Sequence, residues 1–221
     1  MQAILFDLEG TLVDFQWDLR GAVTEVERLL VGLGFDPSAW ERHYAALRNN
    51  AVLLAAQRGL DKRDVARAID VVYDRYDLDA ASRWSLAPDA KTVLAFLKDE
   101  RHVKLGLVTN IGRQAVELGA TRLGLKGLFD VVITRNDVEL VKPCGEGIRI
   151  ALAHLAAKNA DALFVGDSVS DVLAARDGGI RVAFVQGGES APASLNAASP
   201  DYLWQSLGEL KRLYSGGELI A

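Results

Sequence analysis

The period of the apolar positions divides the chain into three parts. The first apolar run, Ala3-Ile4-Leu5-Phe6, has the form of a short buried strand and stops at Asp7-Leu8-Glu9-Gly10-Thr11. Side chains two apart on an extended segment point to one side, so Asp7 and Glu9 are expected to face one small volume at the strand's end. A turn cap followed by a solvated glutamate is the ordinary alternative for such a pentapeptide. From Asp14 to about Leu86 the period becomes helical. Leu19, Val23, Val26, Leu30 and Leu33 make one stripe closed by Gly34. Asp36-Pro37 supplies an N-cap and a first-turn proline for a helix carrying Trp40, Tyr44, Leu47, Ala51 and Leu54, ended by Gly59. Asp61 caps a third helix with Val65, Ala68, Ile69, Val72, Tyr73 and Tyr76 inward, and Asp64 stands in its first turn. The segment predicts a small helical bundle inserted after the first strand.

From Pro88 onward helix and strand alternate. Strands are predicted at 104–108, 130–133, 162–165 and 181–185, with helices over about 88–99, 112–123, 145–157 and 170–177. The strands are apolar on both faces, as in a sheet covered on both sides. The expected fold is therefore α/β, a doubly wound parallel sheet formed by residues 1–14 and 86–221, with residues 15–85 as an inserted helical bundle. Residues 186–200, rich in Gly, Ser, Ala and Pro, predict a surface loop. Tyr202-Leu203-Trp204 suits a last short strand, and Ser206-Leu207-Gly208-Glu209 has the pattern of a capping box opening a final helix.

Composition narrows the class of protein. At 221 residues, half hydrophobic and a quarter charged, the chain can bury a core without staples. A net charge of −5 argues against a nucleic-acid footprint. Cys144 is the only cysteine, which excludes an intrachain disulfide and points to a reducing compartment. No basic segment precedes the first apolar run, and the longest apolar stretches, such as residues 51–56, fall far short of the roughly 20 needed to span a membrane. The expectation is a cytoplasmic protein with neither a nucleic-acid nor a membrane partner.

Ligands of an open parallel sheet bind beyond the carboxyl ends of its strands. The polar interruptions of this sequence lie there: Asp7 after the first strand, Thr109-Asn110 after the second, Lys142-Pro143 after the third and Gly166-Asp167-Ser168 after the fourth. Each taken singly reads equally well as a turn, a cap or a solvated lysine. Their coincidence on one edge is harder to obtain from turn chemistry alone.

These four stretches carry a resemblance to the haloacid dehalogenase superfamily of phosphohydrolases. Asp7-Leu8-Glu9-Gly10-Thr11-Leu12 is similar to that family's first motif, Val108-Thr109-Asn110 to its second, Val141-Lys142-Pro143 to its third and Gly166-Asp167-Ser168-Val169-Ser170-Asp171 to its fourth. The helices between the first two motifs resemble the family's helical cap. The resemblance implies a phosphatase acting on a small phosphorylated metabolite, with Asp7 as nucleophile and Glu9 as general acid and base. It also implies Mg²⁺ held by Asp7, Asp167 and the backbone carbonyl of Glu9, with Asp171 supporting that shell. Lys142 would neutralise charge, while Thr109 and the Asn110 backbone would hold the phosphoryl oxygens. Ser168-Val169-Ser170-Asp171 is also a capping-box pattern, which gives Asp171 a purely structural alternative.

Glu9 departs from the DxDGT pattern usual for phosphatases of the family; enolase-phosphatases carry glutamate there. An enolase-phosphatase, a phosphomutase and a non-catalytic binding protein on the same fold remain as alternatives. The dehalogenase branch needs neither a second carboxylate nor Mg²⁺, and Glu9, Asp167 and Asp171 argue against it. Arg20, Arg48, Asn49, Asn50 and Arg75 are candidate substrate contacts on the cap, against the alternative of solvated side chains. Trp17, Trp40 and Trp84 either line the cleft or pack a core.

Overall fold

A computed structural model describes residues 1–190, 195 and 198–214. Six strands form one parallel sheet in the order β3-β2-β1-β4-β5-β6, with β1 at Ala3–Phe6, β2 at Lys104–Val108, β3 at Val131–Ile133, β4 at Ala162–Gly166, β5 at Arg181–Val185 and β6 at Tyr202–Trp204. The register aligns Phe6 with Leu107 on one side and Val165 on the other, so Asp7 leaves the sheet between the ends of β2 and β4. This is the doubly wound parallel arrangement expected. The alternation of β1 divides the core: Ala3 and Leu5 pack with Ile148, Ala151, Val172 and Ala175, whereas Ile4 and Phe6 face Leu94, Leu97, Val116 and Leu210.

Helices α1 (Leu19–Gly32), α2 (Tyr44–Leu54) and α3 (Lys62–Arg83) follow β1. The apolar side of α1 buries Ala22, Val23, Val26 and Leu30, and Asp61 caps α3 by accepting from the backbone of Arg63 and Asp64. The two connections to the sheet run side by side: Asp14 N donates to Ser85 O, Ser85 N to Asp14 Oδ1, and Ala87 N to Leu12 O. The three helices share one continuous apolar core with the sheet, from Phe6 through Leu12 and Trp84 to Tyr73, Ile69 and Leu47.

The remaining helices are α4 (Ala90–Ala95), α5 (Arg113–Leu123), α6 (Glu146–Leu155), α7 (Val169–Asp177) and α8 (Glu209–Tyr214). Two local expectations are corrected. Asp36-Pro37 opens only a short turn at Pro37–Ala39, the chain is extended at Trp40 and His43, and α2 begins at Tyr44. Tertiary contacts override the helical period there: Trp40 packs edge-on against Phe35, and Arg42 Nε reaches Glu27 on α1 at 2.7 Å. At the last helix Glu209 Oε1 accepts from Gln205 N at 2.5 Å, one residue before the serine of the expected capping box. Of the expected loop at 186–200, residues 191–194, 196 and 197 lie outside the described residues. Among the described residues no helix is long and apolar enough to cross a membrane.

Candidate active site

Strand ends and the turns after them bring every sequence-predicted site residue to one edge of the sheet. Asp7, Glu9, Thr109, Asn110, Lys142, Asp167 and Asp171 are all buried. Lys142 Nζ donates to Asp7 Oδ1 at 2.6 Å and to Asp171 Oδ1 at 2.5 Å, with the Phe164 ring 5.4 Å away. Asp167 is held from both sides, accepting from Thr11 Oγ1 at 2.6 Å and from Glu189 N at 2.6 Å. Gly10 has φ +87°, and a Cβ there would lie 2.2 Å from Asp167 Oδ2; one at Gly188 would lie 2.0 Å from the same atom. Backbone freedom and close approach both demand glycine in the first motif.

Asp171 does two jobs. Its Oδ2 accepts from Asp167 N, Ser168 N and Ser168 Oγ at 2.8–3.1 Å, completing the capping box of α7, and its Oδ1 takes the Lys142 ammonium. Asp7, Asp167 and Asp171 each offer an oxygen within 4.8 Å of the others. Burial pushes the Asp7 carboxyl up to about 6; Lys142 opposes this and Asp171 adds to it. Asp167 is driven well above its ordinary value by burial and then by Asp171 and Asp7. Burial works against the Lys142 ammonium, but Asp171 and Asp7 outweigh it and hold its pKa above the usual lysine range. Three buried carboxylates around one ammonium leave negative charge uncompensated, and an oxygen-only donor set suits a hard divalent cation.

Glu9 Oε1 accepts from Trp84 Nε1 at 2.8 Å and from Gln16 N at 2.9 Å. One donor comes from each connection between the sheet and the inserted helices. Burial raises the Glu9 carboxyl to about 7, against the lowering effect of these two bonds and with a further push from Asp77 and Asp7. Trp84 thus packs a core and also holds the site.

The second and third motifs are tied to each other. Asn110 Oδ1 accepts from Lys142 N at 2.9 Å, and Asn110 Nδ2 donates to Lys142 O at 3.1 Å and to Tyr44 Oη at 3.2 Å. On α2, Asn49 makes the same reciprocal pair with the backbone of Val141, at 2.9 and 3.0 Å. Two asparagines, one from each side of the cleft, therefore fix consecutive residues of the lysine loop. Thr109 Oγ1 accepts from Ile111 N at 3.3 Å.

Of the other cap candidates, Arg48 forks onto Asp70 and donates to Glu139 O at 2.8 Å. Arg75 pairs with Glu25, Arg20 lines a separate groove with Asp18 and Arg28, and Asn50 lines a groove beside Pro143 and Ser170. Trp40 packs against Phe35, whereas Trp17 lines the cleft. Sequence reading missed Tyr44, Asp77, Arg135 and Glu189. A signal existed for one of them: Asp70, Asp74 and Asp77 repeat along one face of α3, and so many carboxylates on a helix called for a buried cation, which is Arg135.

Over this floor lies a cavity with about 30 Å³ open to the centre of a water molecule, room for roughly two or three waters. Asp7, Glu9, Thr109, Asn110 and Lys142 line it together with Phe15, Trp17, Tyr44, Asp77, Ile111, Ser168 and Glu189. The chamber thus brings together an ammonium-bound carboxylate, a second carboxylate with a raised pKa and an acidic cluster at the strand ends of a doubly wound sheet.

Comparison with known proteins agrees. A family model of haloacid dehalogenase-like hydrolases matches residues 1–179, and the chain belongs to that family of enzymes. It is 34% identical over 215 residues to a phosphoglycolate phosphatase of Synechococcus elongatus, covering 95% of both chains. It is 38% identical over 217 residues to the pyrophosphatase PpaX of Bacillus cereus strain AH820, covering 97% of both. Among solved structures, a hydrolase from Pseudomonas syringae superposes with a TM-score of 0.70 at 19% identity, over 99% of this chain and 100% of that one. A haloacid dehalogenase-like hydrolase from Bacteroides fragilis gives 0.68 at 23% identity, over 95% of this chain and 99% of that one. Both share the fold.

Proposed function

We propose that the chain is a cytoplasmic, Mg²⁺-dependent phosphatase of a small phosphorylated metabolite, in which residues 15–85 act as a cap on a core of residues 1–14 and 86–221. The observation that carries this reading is the Lys142 ammonium joined at once to Asp7 and Asp171, in a chamber that also contains Glu9. The names of the relatives, a phosphoglycolate phosphatase and a pyrophosphatase, support small phosphorylated substrates. The single cysteine supports the compartment.

Asp7 attacks phosphorus in line, forming an Asp7 Oδ–P bond as the ester P–O bond breaks. Glu9, protonated near neutrality, gives its proton to the departing alkoxide, then takes one from the water that hydrolyses the aspartyl-phosphate. The products are the alcohol and inorganic phosphate, with Asp7 and Glu9 restored. Lys142 offsets charge between nucleophile and phosphoryl group, and Thr109 and the Asn110 backbone face the same oxygens. Asp7, Asp167 and the backbone carbonyl of Glu9 would hold Mg²⁺, with Asp171 fixing Lys142 and the Asp167 turn behind them. When bound, the ion supplies positive charge to the phosphoryl oxygens.

The test is phosphate release from an aryl and an alkyl phosphate, with and without Mg²⁺, for wild type and Glu9→Gln. Wild type is expected to turn over both esters only with the ion. In kcat/KM, which reports formation of the aspartyl-phosphate and not its hydrolysis, Glu9→Gln should lose roughly 10²- to 10⁴-fold on the alkyl ester, whose leaving group needs the proton, and far less on the aryl ester. Equal losses on both esters would remove Glu9 from leaving-group protonation.

A second expectation concerns stability without substrate. Asp7 and Glu9 titrate near 6 and 7 in the folded protein but near 4 in the unfolded chain, so folding binds protons between these limits. For raised carboxyls the contribution is most favourable below pH 4 and is lost as pH rises through 6 and 7. Mg²⁺ would compete with the proton on Asp7. At about 100 times its Kd it should raise Tm by roughly 5 to 10 °C at pH 7.5, and by clearly less at pH 5. Thermal melts showing no shift at either pH would remove the metal site.

A further inference from the structure

Two buried polar atoms on side chains that line the chamber have no partner: Trp17 Nε1, a donor, and Asp77 Oδ1, an acceptor. Trp17 is 8% exposed and Asp77 0%, and both side chains line the chamber. The rest of Asp77 is committed, its Oδ2 accepting from Gly112 N and facing Arg135 Nη1, each at 2.8 Å. An orphaned donor and an orphaned acceptor on two side chains of one chamber are costly unless a ligand satisfies them.

The charges of the wall point the same way. Glu189 and Asp77 place carboxylates on it, beside the aromatic rings of Phe15, Trp17 and Tyr44. Among the described residues, Lys142 is the only lysine or arginine lining the chamber, and its ammonium is already shared by Asp7 and Asp171. Residues 191–194, 196, 197 and 215–221 contribute no lysine, arginine or histidine by sequence. Outside the chamber, His43 Nε2 lies 3.4 Å from Glu189 Oε1, and Arg48 is spent on Asp70 and Glu139. A second phosphate or carboxylate on the substrate would thus meet carboxylates and aromatic faces with no further lysine or arginine among the lining residues to receive it.

We infer that the substrate is the phosphate monoester of a compact alcohol that carries no second anionic group and that gives a hydrogen bond to Asp77 Oδ1 while accepting one from Trp17 Nε1. Hydroxyl groups both give and accept hydrogen bonds without charge, and an ammonium meets the charge requirement and the first bond. The inference rests on the phosphatase reading and departs from the substrates that name the two relatives, both of which are anionic beyond the phosphoryl group transferred.

The experiment compares kcat/KM, with Mg²⁺, for 2-hydroxyethyl phosphate, phosphoethanolamine, phosphoglycolate, pyrophosphate and an aryl phosphate. The first three share nearly one skeleton and differ in the charge of the far end. The hydroxyl and ammonium compounds are expected to exceed phosphoglycolate and pyrophosphate by roughly tenfold or more. Trp17→Phe, which keeps a ring in place, should raise KM for 2-hydroxyethyl phosphate by roughly fivefold with little change in kcat, as the loss of one binding hydrogen bond does. Aryl phosphate turnover together with phosphoglycolate or pyrophosphate as the better substrate would overturn this inference and leave the phosphatase reading standing. No turnover of any compound would remove both. An unchanged KM in Trp17→Phe would overturn the part assigned to Trp17.

Discussion

Asp7→Asn is expected to abolish phosphate release, by roughly 10⁴- to 10⁶-fold, as removal of a nucleophile does in other enzymes of covalent mechanism. The amide has the shape of the carboxylate and keeps an acceptor oxygen for Lys142 Nζ, which stands 2.6 Å from Asp7 Oδ1. It cannot form the acyl-phosphate. The variant should also remain folded. Burial raises the Asp7 carboxyl to about 6, so its charge opposes folding at pH 7.5 and a neutral amide relieves that cost. The measurement pairs phosphate release with thermal melts in the absence of Mg²⁺. Turnover within tenfold of wild type would transfer the attack to water and end the covalent reading.

The second large effect is on stability. Arg135→Met should lower the free energy of unfolding by roughly 3–5 kcal/mol at pH 7.5, because it strips the cation from a buried cluster of carboxylates. Arg135 Nη1 lies 2.8 Å from Asp77 Oδ2 and donates to Asn110 O at 2.9 Å, and Nη2 lies 2.5 Å from Asp74 Oδ1. Its Nε is 3.0 Å from Asp70 Oδ1 but is not aligned for a hydrogen bond, so that contact is purely coulombic. Burial already raises the Asp77 carboxyl, and Arg135 is the largest influence holding it down. Without the arginine its pKa rises further, and a carboxyl with a raised folded pKa loses stability as pH rises toward that pKa. The deficit should therefore shrink at pH 5, where Asp77 can take a proton. Melts of the two proteins at both pH values check this; a Tm within about 2 °C of wild type at pH 7.5 would show that the cluster carries little stability.

That cluster bears on how the inserted helices work. Arg135 follows β3, whereas Asp70, Asp74 and Asp77 lie on α3, so the ion pairs cross from sheet to insertion. Arg48 and Asn49 of α2 cross the same boundary to Glu139 O and Val141. In this arrangement the insertion is docked on the loop that carries Lys142, and the chamber beneath has space only for a few waters.

Much of this was legible in the chain. The Ala3–Phe6 strand, the helical period of residues 15–85 and the later alternation of strand and helix follow from local patterning, because burial on one face or on both imposes its own period. The convergence of Asp7, Thr109, Asn110, Lys142, Asp167 and Asp171 also followed, since a parallel sheet carries all its strand ends to one edge. What only the tertiary structure decided was the use of each polar atom. Asp171 appeared as either a cap or a support for a metal shell; its oxygens are spent on the α7 cap and on Lys142. Glu9 appeared as an aspartate displaced by one methylene, and its longer arm meets Trp84 and Gln16. Asn49 and Arg48 appeared as candidate substrate contacts, and the structure shows both holding the lysine loop. Trp40 carried a helical signal that the Phe35 and Glu27 contacts cancelled. Periodicity records which face of an element is buried. It holds no record of the partner, 61 to 156 residues away along the chain, that a hydrogen bond or an ion pair will find there.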